Sequence, residues 1–245
     1  MILLTTYLLA AGVALFCILT LVYAGTGLQR VLGVGLGLCA VGAILSSALL
    51  PVLVYDHEDY LGDLWTAFDA ATKSAQGLAS STDYFSPIGP VYDWMFRAAT
   101  ALRPLGATSV PLASALFAIC TVLGALGMLC GRVPVLVLGA GVLIAVTTIL
   151  SPRDMEDLIA QSKANWLAPY NRWAWGRMVP VTLALCARQQ PRGLWAAGIT
   201  GVAIAVLLLL KITYGAAALG LLGVCVVLGL RRTAEAGLVV LGCAV

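Results

Sequence analysis

Seven apolar stretches, each close to the length of a membrane-crossing helix, leave this chain few ways to fold. They fall at roughly residues 2–24, 31–54, 110–130, 133–150, 173–187, 194–210 and 212–230. A helix that crosses the hydrocarbon core of a bilayer needs about 20 mostly apolar residues, and inside lipid only helices and closed barrels satisfy every backbone group. The 245 residues are 61% hydrophobic and 10% charged, whereas soluble domains carry about 25% charged residues. The sequence therefore predicts an all-α, polytopic integral membrane protein with about seven transmembrane helices, forming a single domain over residues 1–245. The fifth stretch is the weakest, because Arg177 and Pro180 interrupt it.

Basic residues in short loops set sidedness. With alternating spans, Arg30, Arg132, Arg188, Arg192, Arg231 and Arg232 share one face, which is expected to be cytoplasmic. The opposite face receives two long loops, at residues 55–109 and 151–172, which hold ten of the 11 acidic residues. The N-terminal run MILLTTYLLAAGVALFCILTLVYAG lacks the basic start of a signal peptide and is expected to be retained as the first span. Only nine apolar residues follow Glu235, too few to cross a bilayer, so the tail either lies at the interface or marks truncation of a longer parent, the favoured reading.

The net charge of +3, from scattered basic residues, excludes nucleic acid as a partner. Seven cysteines lie in apolar segments without C-x-x-C or metal-like spacing and read as small buried hydrophobes. His57 is the only histidine, so neither a histidine metal set nor a Ser-His-Asp triad is available. Glycines at helical spacing, such as Gly33 with Gly37 and Gly198 with Gly201, are expected to let helices approach closely.

The first long loop carries two amphipathic patterns. Leu61, Leu64, Trp65, Phe68, Ala71, Ala75 and Leu78 recur at helical spacing, with Asp63, Asp69 and Lys73 on other faces. After the loop 83-DYFSPIGP-90, Pro90 suits the first position of a second helix, whose expected apolar stripe is Val91, Trp94, Met95, Ala98 and Leu102. Both are expected to lie along the membrane interface. In the second loop, Ser151 and Pro152 open another such helix, followed by 168-APYNRWAWGRM-178. Trp94, Trp166, Trp173 and Trp175 read as an interfacial aromatic belt.

Four acids crowd into 56-DHEDYLGD-63 at the mouth of a span. Together with 76-QGL-78, 83-DYFSPIGPVYDWM-95, 170-YNRWAW-175 and 211-KITYG-215, this cluster resembles the GT-C superfamily of membrane glycosyltransferases, in particular the aminoarabinose and mannosyl transferase types. The resemblance spans residues 55–215 in outline. It implies an inverting sugar transfer from a polyprenyl-phosphate donor to an extracytoplasmic acceptor, at the plasma membrane of a bacterium. Departures are an extra span before the acid loop and the lack of later spans or a soluble C-terminal domain.

On this resemblance Asp56 is the candidate base, with Asp59 the second catalytic candidate; the competing reading makes Asp56 a helix N-cap and Asp59 its capping-box partner. Glu58 is a candidate substrate contact. Glu58 and Asp59 also offer adjacent oxygens to a divalent cation, the one cofactor candidate, against a solvated acidic face. Asp83 and Tyr84 are candidate donor or acceptor contacts, with turn capping the alternative for Asp83. Tyr170 and Tyr214 are candidate substrate contacts from their motifs. Lys211 splits an apolar run, with 17 residues before it from Leu194 and 19 after it to Leu230. Lys211, Arg172 and Arg177 form a candidate phosphate site, against plain interfacial anchoring. Two other classes compete with the enzyme: a non-catalytic accessory subunit bound to other membrane proteins, and a lipid or small-solute transporter.

Overall fold

A computed structural model describes residues 27–49, 66, 68–70, 72–74, 76–78, 82–83, 88–103, 109–150, 169–187, 193–230 and 233–244. The described residues are mostly helical and contain no strand. In chain order the helices are α1 (Gly27–Leu49), α2 (Pro90–Leu102), α3 (Ser109–Leu129), α4 (Val135–Leu150), α5 (Pro169–Cys186), α6 (Gly193–Leu210), α7 (Ile212–Val227) and α8 (Thr233–Ala244). Among the described residues α1 and α3 are long and apolar enough to cross a membrane, and α4, α6 (over Leu194–Leu210) and α7 are shorter apolar helices. The apolar run 2–24 lies outside the described residues.

α3 is the hub. It is buried almost all the way round, as a helix that is hydrophobic on every face must be, and α1, α2, α4, α5 and α6 pack around it. Small residues set the tightest contacts. On α1, Gly33, Gly37, Ala40, Ile44 and Ala48 form the buried stripe; a Cβ on Gly33 would stand 2.6 Å from the Val135 side chain of α4, and one on Gly139 would overlap the Gly33 carbonyl. Without side chains at these points the two backbones can touch, which is how helices associate where no water is available to drive burial. The same device joins α8 to α6, where Gly201 and Gly242 face each other. The short tail thus packs as a helix on α6.

α3 and α5 run parallel and are tied at three levels. Trp173 donates its indole N–H to Ser114 Oγ at 3.0 Å. Halfway down, Arg177 Nη1 donates to the Cys120 carbonyl at 3.2 Å. At the far end Arg132, in the turn after α3, reaches the Ala184 carbonyl of α5 at 3.5 Å, and also bonds the Met128 carbonyl at 3.0 Å. A cation on the last carbonyls of two helices complements both dipoles. Gly131, at φ 73°, supplies the left-handed residue that ends α3 and turns the chain toward α4.

Several expectations are corrected. α5 is one helix, continuous through Arg177 and Pro180 though not among the helices long and apolar enough to cross a membrane, and it begins at Pro169, so it takes over residues assigned to the end of the second loop. Proline at the first helical position has no N–H to orphan. On α2 the buried residues are Val91, Tyr92, Asp93, Phe96 and Ala99, so Trp94, 52% exposed, points outward. Trp173 is a core residue with no exposed surface, while Trp175 is 60% exposed. Cys39, Cys120 and Cys186 are exposed, not buried, because the outward helix faces are themselves apolar.

The expected helix across residues 61–78 is visible over its described part. Residues 66, 68–70 and 72–74 are helical, with Asp69 and Thr72 outward and Ala70 and Ser74 buried. Asp69 and Lys73 form an i,i+4 ion pair at 2.6 Å, and Gly77 at φ 87° ends the helix. Phe68 meets Phe96 of α2 edge-on at 6.5 Å, joining the two loop helices.

Candidate functional site

The best-built polar cluster forms where α6 gives way to α7. Residue 211 is the one break in a long apolar run, and there the backbone turns extended (φ −161°, ψ 115°). Its N–H still closes the last turn of α6 on the Leu207 carbonyl at 2.8 Å, and its carbonyl accepts the Tyr214 N–H at 3.0 Å to open α7. Two apolar helices are thus joined through one residue, and that residue carries an ammonium group.

The ammonium is held in place. Lys211 Nζ donates to Asn171 Oδ1 at 2.7 Å, and it lies 5.2 Å from the Tyr170 ring centroid and 5.8 Å from that of Tyr214. Each cation–π contact contributes about 0.5–2 kcal/mol, more where water is excluded. Pro169 fixes the start of α5 and so sets Tyr170 and Asn171 in its first turn, level with the end of α6. An ammonium has three donors; Asn171 takes one, and two aromatic faces flank the charge without accepting a strong hydrogen bond. The group is poised for a further anionic acceptor.

A train of rings links this point to the first loop. Tyr214 meets the exposed Trp175 edge-on at 5.5 Å. On the other side Tyr170 meets Tyr92 at 5.9 Å, and Tyr92 packs on Phe96 at 4.8 Å and on Trp173 at 5.1 Å. Trp173 then stacks on Phe117 of α3 at 4.9 Å. The first loop is also docked by its backbone, since the Gly89 N–H donates to the Leu210 carbonyl at 3.3 Å, one residue before Lys211.

Of the residues singled out from sequence, Tyr170, Lys211 and Tyr214 come together here. Arg172 is half-buried in the first turns of α5, and Asp83 is exposed in a turn. Arg177 goes elsewhere: it is 6% exposed and bonds α3. Arg177 follows Arg172 by five positions, which puts them about 140° apart around the helix, so they do not present one basic surface. Asp56, Glu58, Asp59 and Tyr84 lie outside the described residues. No group of three metal-type ligands occurs among the described residues.

Asn171 and Tyr92 were not among the candidates. Asn171 stood inside the conspicuous YNRWAW block, but nothing in sequence brings it to a lysine 40 residues away. Tyr92 carried a signal as the first residue of a Y-x-W pair, yet helical periodicity favoured Trp94. Compared with protein-family models, curated proteins and solved structures, the chain matches none.

Proposed function

We propose that the chain is a multi-pass membrane protein with seven spans, the run at 2–24 and α1, α3, α4, α5, α6 and α7, and that it forms a GT-C-like glycosyltransferase module. The outward faces support embedding in lipid. Leu28 is 73% exposed, Trp195 76%, Ile212 73% and Val227 86%, apolar surface that water disfavours and acyl chains accept.

One observation carries the functional reading: the Lys211 ammonium, held by Asn171 between two tyrosines at the break between two apolar helices. That position suits the phosphate of a polyprenyl-phosphate sugar, whose tail lies along the outside of α7 while its head stays level with the loops. In the transfer, Asp56 takes the proton of an acceptor hydroxyl as that oxygen attacks the anomeric carbon. The bond from that carbon to the phosphate oxygen breaks with inversion. The leaving polyprenyl phosphate gains negative charge, which Lys211 stabilises. Arg172 is the second cation for this head group. The acceptor lies on the side of the acidic loops, at the plasma membrane.

The test is transfer of a radiolabelled sugar from a polyprenyl-phosphate donor by the chain in proteoliposomes. Activity that falls at least a thousandfold in Asp56→Asn supports the assignment; activity unchanged in that variant removes Asp56 as base. The accessory-subunit reading is favoured by one fact, that Arg177 is used as a tie between helices. It expects constant-ratio copurification with other membrane proteins and no phenotype for Asp56→Ala.

A further inference from the structure

Arg177 raises a question of charge that the Lys211 site does not answer. Its bond to Cys120 falls near the middle of α3, whose bounds are Ser109 and Leu129. The side chain is 6% exposed, and its Nε has no hydrogen-bond partner. The guanidinium lies against Gly124, where an added Cβ would stand 3.5 Å from Nη2. No carboxylate forms an ion pair with it among the described residues. On the span assignment proposed above, the sequence supplies none within a span either. Ten of the 11 acids lie in the two long loops and the other, Glu235, lies beyond α7.

A guanidinium within an apolar layer calls for a counter-charge or a polar cavity. Among the described residues the outer side of α3 at this level is uncovered: Cys120 and Leu123 are exposed and Gly124 is half-buried. Cys120 and Gly124, one turn apart, are small enough for another helix to come close. We infer that this face of α3 docks a transmembrane helix of a partner membrane protein carrying an Asp or Glu near its middle, with the carboxylate meeting Arg177 beside Gly124. On that span assignment a second copy of this chain does not fit, because all its acids fall outside the spans. The inference rests on the membrane reading and is independent of sugar transfer.

The test reconstitutes the full chain in lipid vesicles with synthetic transmembrane peptides of about 20 residues. Each is a Leu/Ala host with Asp, Asn or Leu at its centre and a cysteine one turn away. Oxidative cross-linking to Cys120 is mapped by peptide mass spectrometry. The Asp peptide is expected to be captured about tenfold more than the Leu peptide, the size of one good interhelical polar contact, and Arg177→Gln is expected to bring it down to the Leu level. Gly124→Leu, which keeps the arginine and fills the space beside it, should do the same if Arg177→Gln fails to fold. Equal capture of Asp and Leu peptides, or Asp capture unchanged in Arg177→Gln, would overturn the inference. Release of the chain from vesicles by alkaline carbonate would overturn the membrane reading beneath it, an outcome visible before any peptide is added.

Discussion

Gly89→Ala is the sharpest structural perturbation available. Gly89 has φ −66° and ψ 159°, a conformation open to any residue, so alanine brings no backbone strain of its own. The effect is contact alone. The added Cβ would overlap the Leu209 carbonyl oxygen and stand 2.6 Å from its carbon and 3.0 Å from the Leu210 oxygen. These are backbone atoms at a helix end and cannot swing aside as a side chain would. The loop must therefore back away, and the 3.3 Å bond from Gly89 N–H to Leu210 goes with it. Losing that bond costs about 1 kcal/mol, and forced separation of packed surfaces adds about 1–3 kcal/mol, for a total of about 2–4 kcal/mol.

The assay is reversible unfolding in mixed micelles, paired with hydrogen exchange at residues 88–92 and 211–215. Gly220→Ala is the control, since nothing stands within 4 Å of a Cβ there; as a mid-helix glycine it should gain up to about 1 kcal/mol. Faster exchange in both segments of Gly89→Ala, together with the stability loss, is the expected result. Unchanged exchange at 211–215 would refute docking of the first loop on the α6–α7 break.

Three further outcomes follow from the same geometry. Asn171→Ala removes the acceptor that orients the lysine while leaving its charge, so affinity for a lipid phosphate should fall by about threefold to tenfold, measured by native mass spectrometry, and Asn171→Asp should not restore it because it neutralises the ammonium. Trp173→Phe should cost about 1 kcal/mol for the Ser114 bond and Trp173→Ala about 3–5 kcal/mol for the emptied ring space, both read by unfolding; equal losses would mean the ring packing is incidental. Gly139→Leu should separate α1 from α4 and lower thermal stability more than Gly35→Leu, a glycine with nothing within 4 Å, and the reverse order would contradict the packing.

The helical architecture was legible because long apolar runs of about 20 residues read as helices. The break at Lys211 and the helix start at Pro90 were legible for local reasons, a charge dividing an apolar run and a proline that fits only the first turn. Periodicity misplaced Trp94, and the aromatic-belt reading misplaced Trp173. A bulky aromatic scores the same whether it faces lipid or neighbouring helices, and only packing places Trp173 between Phe117 and Tyr92. Arg177 was misleading for a related reason: composition marks a cation near a membrane face, whereas its helix phase aims it at the Cys120 carbonyl. Asn171 was invisible because its function depends on one contact across 40 residues of sequence.

The central claim is a lipid-phosphate site at Lys211, and the most direct measurement compares polyprenyl phosphate with the uncharged polyprenol of the same length, each titrated against the chain in nanodiscs and read by native mass spectrometry. The account predicts that the phosphate binds at least tenfold more tightly and that Lys211→Ala brings the two lipids level. Equal retention of both lipids by the unaltered chain, or a phosphate preference that survives Lys211→Ala, would contradict it.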